Sequence, residues 1–248
     1  MLLSADPAQP SRLTVAGGTV TLGGRIDLRG PVARLLVTQP LRVVENVPLS
    51  DPGVRDYMKF TTPILAGSVG SDGRLSGDIE SLDLPLAGTE EKRATGSARF
   101  VIDNFQTELT GPFATILGWY GQPTRTPVQR LGPIEVQLAG GYFIIKEHPV
   151  VFGPDTRILV KGRIGLDESL SIELNTPLTA PMLKRFGVPA VAAPYLVGQR
   201  LTMAMTGTIH KPQLDDKLVA KRIGQMVAEA LKRKALEEMG GWLKKGLK

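Results

Sequence analysis

The chain has no cysteine and only two histidines, His148 and His210, among its 248 residues. Without thiols, disulfide scaffolds, zinc–thiolate sites and cysteine nucleophiles are excluded. Two separated histidines argue against a histidine-based metal or catalytic centre, and the prolines beside them, Pro149 and Pro212, make both read as exposed turn residues. Aromatic residues are scarce, at 5%. No window supplies the roughly 20 apolar residues of a membrane-spanning helix, since the longest candidate, Val188 to Val197, is interrupted by Pro189 and Pro194. The first residues, Met1-Leu2-Leu3-Ser4-Ala5-Asp6-Pro7, lack the basic and apolar stretches of a signal peptide. Membrane anchoring is therefore expected only if an upstream helix is missing from this chain. No phosphate-binding glycine loop and no G-x-S-x-G element occurs, so nucleotide and hydrolase chemistry have no motif to stand on. The expectation is a non-enzymatic protein with no cofactor and no metal.

What is abundant is glycine (28) and proline (19), a mix that favours strands and turns over a helical bundle. Period-2 alternation runs through the first 210 residues. Val20, Leu22, Ile26 and Leu28 share one parity, as do Ile134, Val136 and Leu138. The pattern is clearest in Ile158, Val160, Ile164 and Leu166, which return after an Asp167-Glu168 turn as Leu170, Ile172 and Leu174. Leu201, Met203, Met205 and Ile209 add a further strand. One apolar and one polar face per strand is the signature of an antiparallel sheet. Short helical interruptions are expected at Asp51–Met58, Gly111–Gly121 and Ala180–Phe186, each with a proline near its start. One long amphipathic helix is expected from Asp215, ended by Gly240-Gly241, with Trp242, Leu243, Lys244, Lys245 and Leu247 in a tail suited to a membrane surface or a partner. The segment Lys211–Lys248 holds ten Lys and Arg against five Asp and Glu, which is most of the net charge of +6. A near-neutral body with a basic tail is not the field of a nucleic-acid-binding protein.

These patterns predict a mainly β protein. Residues 1–214 are expected to form an antiparallel sheet with one apolar face and a few short connecting helices, and residues 215–248 a basic amphipathic C-terminal helix and tail. The apolar face of such a sheet must be covered by helices, a second sheet or lipid, and the helical segments before residue 215 look too few to cover it all.

The order of elements from Gly141 to Leu214 resembles the C-terminal region of AsmA-like and TamB-like proteins. The resemblance rests on Gly141-Tyr142-Phe143-Ile144-Ile145, Val150-Val151-Phe152, the alternating run Ile158–Leu174, and the ending Gly207-Thr208-Ile209-His210-Lys211-Pro212-Gln213-Leu214. It implies a long, twisted and curled antiparallel sheet, groove-like with an apolar inner face, in a periplasmic or cell-envelope protein that binds phospholipid acyl chains in that groove and serves intermembrane lipid transport or outer-membrane biogenesis. Under that reading the groove candidates are Ile134, Val136, Leu138, Ile158, Val160, Ile164, Leu166, Leu170, Ile172 and Leu174. The partners are phospholipids and, through the C-terminal segment, a membrane surface or an envelope protein. The alternative is a closed β-rich structural or interaction protein that binds no lipid. An outer-membrane barrel is disfavoured by the few aromatics and the basic helical end.

Overall fold

A computed structural model describes residues 2–4, 10–51, 53–54, 58–60, 62, 68–87, 90–152 and 156–246. Its body is one open antiparallel sheet of 14 strands. The first six are β1 (Leu2–Ser4), β2 (Ser11–Val15), β3 (Gly18–Leu22), β4 (Arg25–Asp27), β5 (Arg34–Val37) and β6 (Leu41–Pro48). Then come the long strands β7 (Ser68–Pro85), β8 (Thr95–Leu109) and β9 (Arg125–Ala139), followed by β10 (Tyr142–Phe152), β11 (Thr156–Gly165), β12 (Ser169–Pro177), β13 (Arg200–Thr208) and β14 (Lys211–Leu214). From β7 to β14 each strand pairs with the next. Before β7 the sheet forks, with β5, β4 and β1 continuing from the C-terminal end of β7 and β6, β3 and β2 from its middle. The fully described α-helices are α1 (Gly111–Trp119), α2 (Ala180–Arg185), α3 (Ala193–Leu196) and α4 (Asp216–Gly246), while the helix expected at Asp51–Met58 lies partly outside the described residues.

The register turns the period-2 pattern into continuous rows on one face. One row runs Ile79, Ala98, Val136, Ile145, Gly162, Ile172, Met205 and Leu214, one residue from each of eight strands. The next runs Leu82, Gly96, Leu138, Phe143, Ile164, Leu170 and Gly207. Gly162 sits in the first row because a side chain there would meet the Ser171 carbonyl at 2.3 Å, and its φ of +147° suits glycine alone. The opposite face is polar and carries cross-strand ion pairs: Arg99 with Glu80 and Glu135, Lys146 with Glu135, and Lys161 with Glu173. All are solvent-exposed, so they mark the wet face and add little stability.

Helices cover much of the apolar face. Phe113, Ile116, Leu117 and Trp119 of α1, Met182 and Leu183 of α2, Leu196 of α3, and Val219, Ile223 and Ala230 of α4 belong to the same buried cluster as the strands. With the help of α4 the helices cover the C-terminal part of the sheet, and the segments before residue 215 do not cover the whole face, as expected from their number. The expected helices at 111–121 and 180–186 are present, each with proline in its first turn. The expected stop at Gly240-Gly241 is overturned, because α4 continues through both glycines to Gly246. The cost of about 1 kcal/mol per helical glycine does not end a helix of that length. The helix also guards a sheet edge. β14 pairs only with the last residues of β13, and Arg222 of α4 donates to the Thr202 carbonyl on the uncovered part.

Tyr120, directly after α1, joins the helical layer to the sheet. Its buried hydroxyl donates to the Pro177 carbonyl at 2.6 Å and receives the Thr176 hydroxyl, and burial pushes its pKa well above the ordinary value. Tyr120→Phe strands both partners in the interior. It is expected to cost about 1–3 kcal/mol, read as a lower urea midpoint with an unchanged m-value.

Candidate functional site

Helix cover stops short of one region of the apolar face. There a cavity of about 560 Å³ opens over β7–β10, within the roughly 300–1,000 Å³ of small-ligand pockets. Its walls follow the two rows described above. β7 supplies Ile79, Leu82 and Leu84, β8 supplies Gly96, Ala98 and Phe100, β9 supplies Val136 and Leu138, and β10 supplies Phe143. Leu166 closes it from the β11–β12 turn, and Phe60 from the segment before β7. The only side-chain heteroatoms among the lining residues belong to Ser81 and Ser97, whose hydroxyls bond each other at 3.0 Å. Ser97 alternates with the inward Gly96 and Ala98 along β8, so this hydroxyl pair belongs to the opposite face, and the cavity walls are mainly apolar.

The groove candidates divide between this pocket and the closed core. Leu138 and Leu166 line the cavity, and Val136 both lines it and belongs to the buried core at 4% exposure. Ile134, Ile158, Val160, Ile164, Leu170, Ile172 and Leu174 share the face but are at most 5% exposed, packed in the core. The turn after Ile164 spans Leu166–Glu168. Asp167 accepts hydrogen bonds from the Ser169 hydroxyl at 2.6 Å and amide at 3.1 Å, which hold its carboxyl below the usual range. Trp242, Leu243, Lys244 and Lys245 fall within α4, and Leu247 lies outside the described residues.

Most of the pocket was missed in the sequence. Ile79, Leu82, Leu84 and Leu86 carry an apolar pattern broken by a register shift between Ile79 and Ser81, which hides the alternation. The small residues opposite, Gly96 and Ala98, leave the space that becomes the cavity.

His148 is the clearest correction. It is not in a turn but inside β10, 4% exposed, opposite Val160. Its Nδ1 lies 3.3 Å from the Lys146 carbonyl. Burial lowers its pKa from the ordinary 6.5, partly offset by that hydrogen bond. The unfolded chain thus takes up a proton at a pH where the folded chain does not. The sign is that stability is full above the unfolded value and falls as pH drops through it towards the folded value. Replacing His148 by Gln should flatten the loss of stability between about pH 7 and about pH 5, measured as urea midpoints of both proteins across that range. His210 is exposed, with Nε2 3.4 Å from Glu168.

Among the described residues no helix is long and apolar enough to cross a membrane, and no three His, Asp or Glu side chains gather as a metal-holding group. Comparison with family models, curated proteins and solved structures finds no match to this chain.

Proposed function

We propose that the protein holds a lipid acyl chain in the open part of its apolar sheet face, without catalysing a reaction on it. In this reading it acts as a module of an AsmA-like cell-envelope protein, in lipid transport or outer-membrane biogenesis. The observation that carries the reading is the cavity itself: an open, apolar-walled space on the same side-chain rows that form the core. Each methylene transferred from water into such a space contributes about 0.8 kcal/mol, so a hydrocarbon chain binds there without directional contacts. A phospholipid would leave its headgroup in water at the mouth. The periplasmic setting and the envelope partner follow from the sequence resemblance alone.

The test is native mass spectrometry, with lipid extraction, of the full chain purified without detergent. Co-purifying phospholipid at a defined stoichiometry supports the reading. A lipid-free protein that also fails to take up fatty acid or phospholipid from vesicles sinks it. The helix-covered half of the same face favours the second reading, a closed β-rich interaction protein that carries no lipid.

A further inference from the structure

The pocket and the closed core share one apolar face, and the boundary between them follows a line of phenylalanines. Along β8, Gly96, Ala98 and Phe100 line the cavity, while Ile102, the next inward residue, is fully buried. Along β9 the change falls between Val136 and Ile134, and along β10 between Phe143 and Ile145. Phe60, Phe100 and Phe143 are half-buried, and each both lines the cavity and packs against the core cluster.

Their placement is built in. Phe100 stands opposite Gly77 of β7, and a Cβ on Gly77 would lie 2.3 Å from the Phe100 ring. The ring therefore lies across the sheet over a residue with no side chain, an aromatic covering a strand glycine. On the other side Phe60 packs on Phe143, with ring centroids 5.7 Å apart and planes at 46°, within the favourable range for aromatic pairs. Phe100 on β8 and the Phe60–Phe143 pair at β10 thus stand at the two ends of an oblique boundary, with Val136 of β9 between them.

We infer that Phe100 over Gly77 and the Phe60–Phe143 pair form an aromatic stop that ends the acyl pocket and sets the length of the hydrocarbon chain it accepts. The inference rests on the acyl-binding reading above and deepens it. A chain running inward passes Leu138, with the Phe60–Phe143 pair beside it in the same row, then Ala98 and Val136, and meets Phe100 in the next row, beyond which the face is already filled by protein. Methylenes past that point stay outside and add no affinity.

The probe is a series of saturated fatty acids of increasing length, titrated below their critical micelle concentrations into the full chain. For the wild type, affinity should rise by about fourfold per methylene and then level at a defined length. Phe60→Ala, which opens the space beside Phe143, should extend the rise to longer chains. Where circular dichroism shows that Phe60→Ala does not fold, Phe60→Leu keeps an apolar contact on Phe143 and should extend it by a smaller amount. A plateau at the same length in wild type and in folded Phe60 and Phe100→Leu variants would overturn the stop and leave the acyl pocket standing. No fatty acid bound by the wild type at any length would overturn the acyl-binding reading itself, and the stop with it.

Discussion

Leu138→Asp should yield a folded protein that carries no lipid. Leu138 is half-buried on the pocket wall, so a carboxylate placed there stays hydrated through the open mouth while the pocket is empty. The cost to the fold is then that of an ordinary single substitution, about 1–2 kcal/mol. Filling the pocket with hydrocarbon is what strips that water away, and an unpaired carboxylate in an apolar space is among the most costly groups to desolvate. Occupancy should fall by at least about 100-fold, equivalent to about 2.7 kcal/mol. Ala98→Trp tests the same pocket without charge, because its indole takes up the space in front of the small residues of β8. Both variants should match the wild type in circular dichroism and lose the lipid peak in native mass spectrometry. Wild-type lipid content in both, with the fold intact, would place any bound lipid elsewhere.

The opposite result is expected of Ile164→Asp, which lies in the same row as Leu138, only two strands away. Ile164 is 0% exposed, so a carboxylate there has no route to water and replaces a packed side chain. Removing a buried isoleucine costs about 2–5 kcal/mol through transfer and cavity formation, and the buried carboxyl adds several more or is forced to stay protonated. The sum is comparable with the whole stability of a typical domain, about 5–15 kcal/mol. Ile164→Asp, and Ile172→Asp for the same reason, should give insoluble or unfolded protein. A soluble Ile164→Asp with a cooperative unfolding transition near that of the wild type would show that this part of the face is open. The Leu138 and Ile164 substitutions thus separate a wall of the pocket from the core beside it, although alternation treats the two residues alike.

Why alternation cannot tell them apart is a matter of geometry. Side chains at i and i+2 share a face in any strand, so the parity of Ile134–Leu138 and Ile158–Leu174 was legible, including the return of the same parity after Asp167-Glu168. The helices at Gly111 and Ala180 were legible too, since proline in a first turn is a local signal. His148 was not, because register shifts between Ile145 and His148 of β10. That bulge puts Ile145 and His148, three residues apart, on the same side, so a histidine that a neighbouring proline assigns to a turn enters the core. The register shift in β7 hid the pocket wall in the same way. Nor does a pair of glycines reveal that a helix with favourable turns on both sides will run through it, as α4 does at Gly240-Gly241.

By itself the sequence determined the class of fold, the inward parity of β9, β11, β12 and β13, the basic helical end, and the absence of thiol chemistry, all of which follow from residue type and local spacing. The parity expected for Val20, Leu22 and Leu28 is not kept, since Leu22 is 55% exposed and Thr21 is buried. Only the tertiary structure decided which part of the apolar face is sealed and which is open. That depends on where α1–α4 return after long connections, on the register shifts within β7 and β10, and on the small residues Gly77, Gly96 and Ala98 facing large ones across the sheet. These are relations between residues far apart in the chain, and no local pattern encodes them.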